Sequence, residues 1–599
     1  MSSTGLDIQT FLAGARDLAL DLSSAVVTAF DSRCALTRSE CEGLHYSACR
    51  SRLPQAECTT NSMTIPDCLG AECGSVQDFS NPVVQIPASL QGVYDNNITN
   101  LDVIETVCYG IILDKSLIDV FEGSQSPDSV SSVFTYFGSW MGVMRAFPGA
   151  NYGGECGDYD PRIRPWYVAA SSGPKDVVII VDISGSMEKN DRFVLATQAV
   201  ESVLGTMNEH TFVNIVLLES EAEVLNSGNV LVAATSANKE ILLDLFANVQ
   251  PGGSTNFEEA LTTTFNILEA SRALGDAASS GCSTAILLLT DGEITEGLGS
   301  DDASEISALV QTLNVDIEAQ IFTFSLGPEA DSATLKTIAC GSEGIFQAIP
   351  DGGSLSTAMS FYYRYYAIGL GGNTNYTAYS SLYEFSPGYG SDLGFTVASP
   401  AYDQAFDPPA FLGVTGVDFM VQSFLDLGFS QGEIEDAVFL GGKECPAFNL
   451  TSCQLQQFRG SISTESVCED NGVCGSETIS LEPARCMEDD EYPGNLWGNV
   501  DLEGFDYLDR NCCGNDIFDP SISTPTCEID DGSTGAGGSD TTTVAVVSTV
   551  VIAAVALFCF CAFCHKKKKN IAEEKGEEEA PEVQLPTICM RTVEGSESH

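Results

Sequence analysis

Three short stretches carry oxygen-bearing side chains in an order that suits a hard divalent cation. In the first, Lys175 to Met187, Asp182, Ser184 and Ser186 are spaced two apart, and Gly185 permits a tight turn between them. The second is the glycine-rich run Pro251-Gly-Gly-Ser-Thr255, and the third closes an apolar run on Thr290-Asp291-Gly292. Mg²⁺ or Ca²⁺ takes several oxygens around one point. Two carboxylates, Asp182 and Asp291, do not over-neutralise such an ion, so one coordination position can stay open. An isolated Asp-x-Ser-x-Ser is also an ordinary turn. Three such stretches in order, each following an apolar run, point to a metal site.

The elements that must hold these residues are legible in the periodicity. Val177 to Val181 is a β-branched run that reads as a buried strand, and Ile286 to Leu289 reads likewise. Strand-like runs at 177–182, 211–218, 284–290 and 320–326 alternate with helix-like runs at 191–207, 236–248, 257–272, 302–314 and 331–340. That alternation predicts an α/β fold, a doubly wound, mostly parallel sheet with helices on both faces. It puts the metal motifs at the carboxyl ends of strands, where such folds bind ligands. The order Asp-x-Ser-x-Ser, then Thr255, then Asp291 resembles the metal-ion-dependent adhesion site of von Willebrand factor A (VWA) domains, here over 176–352. The resemblance implies that Asp182, Ser184 and Ser186 contact the ion directly or through water, with Thr255 and Asp291 on its other side. It also implies that an acidic side chain of an extracellular protein partner fills the open position.

A second set has different chemistry. In Tyr159-Asp-Pro-Arg-Ile-Arg164-Pro-Trp166-Tyr167, arginine offers a two-pronged fork to a carboxylate, while Trp and Tyr wall an apolar pocket and flank an ammonium group. The stretch resembles the signature of extracellular Cache domains, in which Tyr159, Arg164, Trp166 and Tyr167 would line a pocket for a free amino acid. The pattern resumes after residue 353. Tyr389 matches another aromatic pocket position, and Asp418, in Leu412-Gly-Val-Thr-Gly-Val-Asp418, matches the carboxylate that holds the ligand's ammonium. The resemblance therefore implies an α+β Cache domain in two pieces, 34–175 and 353–425, with the VWA domain inserted between them. Short alternating runs at 83–86, 110–113 and 132–137 fit strands of an antiparallel sheet. This arrangement, with Arg-Pro-Trp-Tyr leading into Pro174-Lys-Asp and then Asp-x-Ser-Gly-Ser, resembles the alpha-2/delta auxiliary subunits of voltage-gated calcium channels over residues 80–425. A voltage-gated calcium channel is the partner this implies.

The rest of the 599 residues sets the context. With 26 basic and 84 acidic residues the formal charge is −58, which argues against a nucleic-acid partner. The acid either attracts cations or simply keeps the surface soluble. Eighteen of the 22 cysteines precede residue 544, and only four histidines are scattered along the chain, so disulfides are expected rather than zinc sites. Cys282 and Cys340 are the only cysteines of the 176–352 region; they could pair, though spacing does not show it. Sequons at Asn97, Asn375 and Asn449 are expected to be glycosylated outside the cell. Residues 1–33 read as an amphipathic helix, with Leu18, Leu22 and Val26 at helical spacing. Residues 426–540 read as a disulfide-rich stalk and linker. Val544 to Cys564 is a charge-free apolar run long enough to span a bilayer, and Lys566 to Lys569 follow it. We therefore expect one transmembrane helix within 541–565, a short cytoplasmic tail at 566–599, and a single-pass type I protein of the plasma membrane. Cys559, Cys561 and Cys564 are either palmitoylated or simply apolar residues of the span. Residues 1–30 show no uninterrupted apolar core of a signal peptide, so either a signal lies upstream of this start, the favoured reading, or export uses a signal not evident in the sequence.

No phosphate-binding Gly-x4-Gly-Lys-Ser/Thr loop and no Gly-x-Ser-x-Gly elbow is found, so an enzyme is not expected. Three functions compete: an auxiliary channel subunit, an adhesion or matrix receptor using the same metal, and an amino-acid sensor using the Cache pocket.

Overall fold

The amphipathic N-terminal segment folds as helix α1, Ile8–Asp31, and its apolar stripe of Leu12, Ala15, Ala19, Leu22 and Val26 is buried. The structure, a computed structural model, describes residues 8–31, 62–64, 76–78, 82–85, 106, 113–125, 131–150, 159–226, 228–292, 294–299, 303–328, 330–351, 355–384, 393–404, 406–468, 474, 481 and 512–513. Residues 1–527 form one unit, and 528–599 form a second that lies outside the described residues, as does the apolar run Val544 to Cys564. Among the described residues no helix is long and apolar enough to cross a membrane.

In chain order the first unit continues with α2, Leu113–Ser124, and strands β1, Ser132–Ser139, and β2, Met144–Phe147. A 3-10 turn, Pro161–Ile163, leads into α3, Pro165–Ser172, where proline at the first helical position has a preset φ and no amide to leave unpaired.

The α/β part follows. Its elements are β3, Lys175–Asp182; α4, Arg192–Thr206; β4, Phe212–Leu218; α5, Ser236–Phe246; and α6, Phe257–Leu274. Next come β5, Ser283–Thr290; α7, Ala303–Leu313; β6, Gln320–Leu326; α8, Ser332–Gly341; and β7, Phe346–Ile349. Strand β3 pairs in parallel with β4 on one side and β5 on the other, and β6 and β7 extend the parallel sheet beyond β5. Two-residue strands at 223–224 and 232–233 pair antiparallel with β4. The strand order thus reverses between β3 and β5. Alternate residues of β3 feed two cores: Val177, Ile179 and Val181 pack toward α4, and Val178 and Ile180 toward α6, α7 and α8. The predicted doubly wound sheet, with helices on both faces, is the one observed.

The chain then returns through α9, Leu355–Gly369, to two long strands, β8, Leu393–Asp403, and β9, Ala410–Met420. These complete an antiparallel sheet in the order β8-β9-β1-β2, with two- and three-residue strands at its edges. The pairing of β9 with β1 sets Val417 opposite Thr135 and Gly416 opposite Tyr136. The α/β part is therefore inserted between strands of one sheet. Helix α1 packs across β8 and β9 and supplies much of the apolar layer beneath them.

Two helices close the described chain. Helix α10, Gln431–Gly441, starts on a Ser430–Glu433 capping box, and α11, Ser452–Ile462, on a Thr451–Gln454 one. Arg459 of α11 donates to the Gly344 carbonyl at 3.0 and 2.6 Å, and Phe458 is buried. Cys282 and Cys340 do not pair with each other. Cys282 bonds Cys445, Cys340 bonds Cys468, and Cys453 bonds Cys474. The beginning of the predicted stalk is thus strapped onto the α/β part, where Leu455 and Phe458 of α11 join its core, while Ile434, Ala437 and Val438 of α10 join the apolar layer beneath the antiparallel sheet.

Candidate metal centre and ligand cavity

Strand β3 ends on Asp182, which is fully buried. Its Oδ1 accepts from the Ser184 amide at 2.8 Å and its Oδ2 from the Thr290 hydroxyl at 2.5 Å, so the carboxylate is oriented by the two adjacent strand ends. Ser184 Oγ lies 3.0 Å from Ser186 Oγ, and Ser186 donates to Asp291 Oδ1 at 2.7 Å. Four of the five predicted ligand residues are therefore linked in one hydrogen-bonded chain at the switch point. Thr255 is buried in the loop that seals this group. Gly252 donates to the Ile183 carbonyl at 2.6 Å, Gly185 to that of Gly253 at 3.4 Å, and Thr295 to that of Thr255 at 3.0 Å. Three loops are thus zipped by backbone bonds into a single edge.

Burial pushes the Asp182 carboxyl up to about 6, and the nearby Asp291 adds to the rise. Two buried carboxylates with three hydroxyls beside them are a donor set that a hard divalent cation fits, since it relieves their repulsion and replaces lost water. Among the described residues no group of three or more His, Cys, Asp or Glu is arranged to hold an ion. A site here depends on the serine and threonine oxygens. One contributor was not read from the sequence. Arg192, at the start of α4 and 2 % exposed, donates from Nη1 to Asp291 Oδ2 at 2.8 Å and from Nε to Asp351 at 3.1 Å. It fixes the outer oxygen of Asp291 and offsets part of the site's negative charge. In sequence Arg192 falls at the start of the helix-like run 191–207, where nothing in its neighbours singles it out.

The second predicted set converges on a cavity of about 820 Å³ lined by Tyr159, Arg164, Trp166 and Asp418. The Arg164 guanidinium lies 4.4 Å from the centre of the Tyr159 ring, and its Nε is buried without a hydrogen-bond partner. Trp166 donates to the Tyr159 hydroxyl at 3.3 Å. Asp418 accepts from Tyr136 at 2.6 Å and Thr396 at 2.7 Å, and Tyr383 lies 3.0 Å from that threonine hydroxyl. Burial raises the Asp418 carboxyl to about 6 against the lowering effect of these bonds. Tyr136, Tyr383 and Thr396 were not foreseen; they come from strands whose pairing the sequence does not reveal. The α/β part adds Asn208, Glu209 and Lys239, and α10 adds Glu435, so the cavity lies where three parts of the fold meet. Tyr167 does not line it and faces another cavity. Tyr389 and Asn97 lie outside the described residues, whereas Asn375 and Asn449 are exposed.

These features are those of a VWA-type α/β fold, and residues 176–360 match the family model for the von Willebrand factor type A domain. The chain resembles the alpha-2/delta calcium-channel subunits. It is 34 % identical over 277 residues to human voltage-dependent calcium channel subunit alpha-2/delta-3, covering 45 % of this chain and 24 % of that one. To the human alpha-2/delta-2 subunit it is 27 % identical over 316 residues, covering 51 % and 26 %. The match thus spans about a quarter of the length of these relatives. Among solved structures, mussel byssus proximal thread matrix protein 1 with a zinc-occupied MIDAS motif aligns at 17 % identity and a TM-score of 0.25, covering 33 % of this chain and 47 % of that one. That overlap is too slight to bear on the site.

Proposed function

We propose that this chain is a single-span cell-surface protein that binds an extracellular protein partner through a divalent cation held by Asp182, Ser184, Ser186, Thr255 and Asp291. The observation that supports this most is the linked set Asp182, Ser184, Ser186 and Asp291 at the switch point. A bound ion would supply a positive centre for a carboxylate of the partner. The protein's own part is positional: Thr290 and Ser184 orient Asp182, Arg192 anchors Asp291, and the interlocked loops hold the serine hydroxyls toward one point. The likeness to alpha-2/delta subunits makes a voltage-gated calcium channel the most specific partner; an adhesion or matrix ligand would use the same chemistry.

The decisive experiment is co-purification of the full chain from membranes, with Mg²⁺ or Ca²⁺ and then with EDTA. A multi-span channel retained only with metal supports the channel reading. An acidic soluble or matrix protein retained only with metal supports the adhesion reading. Partners unaffected by EDTA would overturn both.

A second reading is supported by the convergence of Arg164, Tyr159, Trp166 and Asp418 on one cavity. In a Cache-type site Arg164 takes the carboxylate of a free amino acid and Asp418 its ammonium. The test is a melting-temperature rise with amino acids that disappears in Arg164→Ala.

A further inference from the structure

Trp166 and Tyr167 are neighbours on α3 but face different cavities. Tyr167 faces one of about 300 Å³, at the small end of the range for small-molecule sites. Its walls include Trp140, Arg162, Tyr167, Tyr363, Arg364 and Phe411. The charge of this lining runs against that of the molecule. Among the described residues it holds two guanidinium groups and no carboxylate, with Asp160, bound to Arg162, offsetting one of the two charges, in a chain with 84 acidic and 26 basic residues.

Both guanidinium groups are held in place. Arg162 donates from Nε and Nη2 to Asp160 at 2.9 and 2.6 Å. It also lies against Gly142, whose φ of +95° suits glycine and where a Cβ would come within 2.8 Å of Arg162 Nε. Arg364 stacks with its guanidinium 4.9 Å from the centre of the Trp140 ring. The Tyr167 hydroxyl is turned away to the Ser139 carbonyl at 3.3 Å, which leaves its ring as wall.

Aromatic walls take a flat apolar body, and a cationic sector takes an anion on its end. With no carboxylate among the described lining residues, and Asp160 engaged by Arg162, none of them is placed to receive an ammonium group. We propose that this cavity is a binding site for a small aromatic carboxylate lacking an amino group, its acid directed to Arg162 and Arg364 and its ring packed on Trp140 and Tyr167. It is separate from the cavity of Asp418, which holds groups of both signs.

The sequence contains three tryptophans, and one stands in each cavity, Trp140 here and Trp166 in the larger one. The full chain in lipid nanodiscs would be titrated with 3-phenylpropionate, its uncharged isostere 3-phenylpropionamide, and phenylalanine, with tryptophan fluorescence and melting temperature as readouts. Saturable quenching by the acid is expected, with the amide and phenylalanine at least tenfold weaker. Trp140→Phe removes the quenching but keeps the melting-temperature rise, and Arg364→Gln weakens the acid at least tenfold while leaving the amide unchanged. Equal binding of acid and amide by the unaltered protein, or no saturation by the acid, overturns the proposal without any variant having to fold. Quenching that survives Trp140→Phe and is lost in Trp166→Phe would assign the acid to the other cavity and overturn it as well.

Discussion

The proposed metal edge and the Asp418 cavity were built by opposite means. At the edge, the donors Asp182 and Asp291 stand at the ends of two neighbouring parallel strands, and the loops between them are short and interlocked. Around the cavity, Tyr136 and Asp418 are 282 residues apart and meet only because β9 returns to pair with β1. The first site is a property of one sheet's topology. The second is a property of assembly, with walls from the antiparallel sheet, the inserted α/β part and α10. Damage should therefore stay local at the edge and spread around the cavity.

The largest effect expected from this contrast is at Asp182. Asp182→Asn keeps an acceptor for the Ser184 amide and turns an NH2 toward the Thr290 hydroxyl but removes the charge, so the Mg²⁺-dependent rise in melting temperature disappears, while any amino-acid response stays at the unaltered level. Loss of both responses would show the two sites to be one cooperative system. Next in size is Cys340→Ser with Cys468→Ser, which frees the strap across the flank of the α/β part. A bridge closing 128 residues is worth about 2–4 kcal/mol, read by urea denaturation. The metal response should survive, since both cysteines are remote in sequence from the ligand residues.

A smaller change tests the cavity. A Cβ on Gly416 would lie 2.2 Å from the Tyr136 ring, so Gly416→Ala displaces the ring that donates to Asp418, at a cost of about 1–3 kcal/mol. Amino-acid binding should weaken and metal binding remain, as paired calorimetric titrations would show. The smallest effect is in pH. Burial raises Asp418 from 3.8 to about 6, so the carboxylate that receives an ammonium is ionised at pH 7 and protonated below 6. Ligand affinity should fall about tenfold between pH 7 and 5. The ligand-free fold binds this proton more tightly than the unfolded chain. Its contribution to stability is therefore greatest at low pH and is lost as pH rises from about 4 through 6. A ligand affinity flat from pH 7 to 5 would remove Asp418 from the site.

The same contrast explains what was legible in the sequence. The doubly wound sheet, and the grouping of Asp182 and Asp291 at its switch point, were readable because apolar runs end directly on those residues. Arg192 was not, since its burial arises only when Asp291 and Asp351 close on either side of it. The cavity residues Tyr159, Arg164, Trp166 and Asp418 were recognised by resemblance, but their partners Tyr136, Thr396 and Tyr383 depend on strand register. Tyr167 shows the limit of a motif: adjacent helical positions point about 100° apart, and it faces away from the cavity its neighbour lines. Cysteine spacing said nothing of the straps from Cys282 and Cys340, because their partners, Cys445 and Cys468, lie in irregular segments outside the region that spacing covers.

The pairing of β1 with β9 also orders events in time. Closing a loop of this length in an unfolded chain carries a large entropic penalty before any contact forms. The inserted α/β part has a parallel sheet with local pairings of its own, so it can form before β9 is delivered and bring the two halves of the outer sheet within reach. The antiparallel sheet zips last, and the cavity with it. A chain stalled before residue 410 would lack β9, and with it Asp418 and the wall it gives to the cavity.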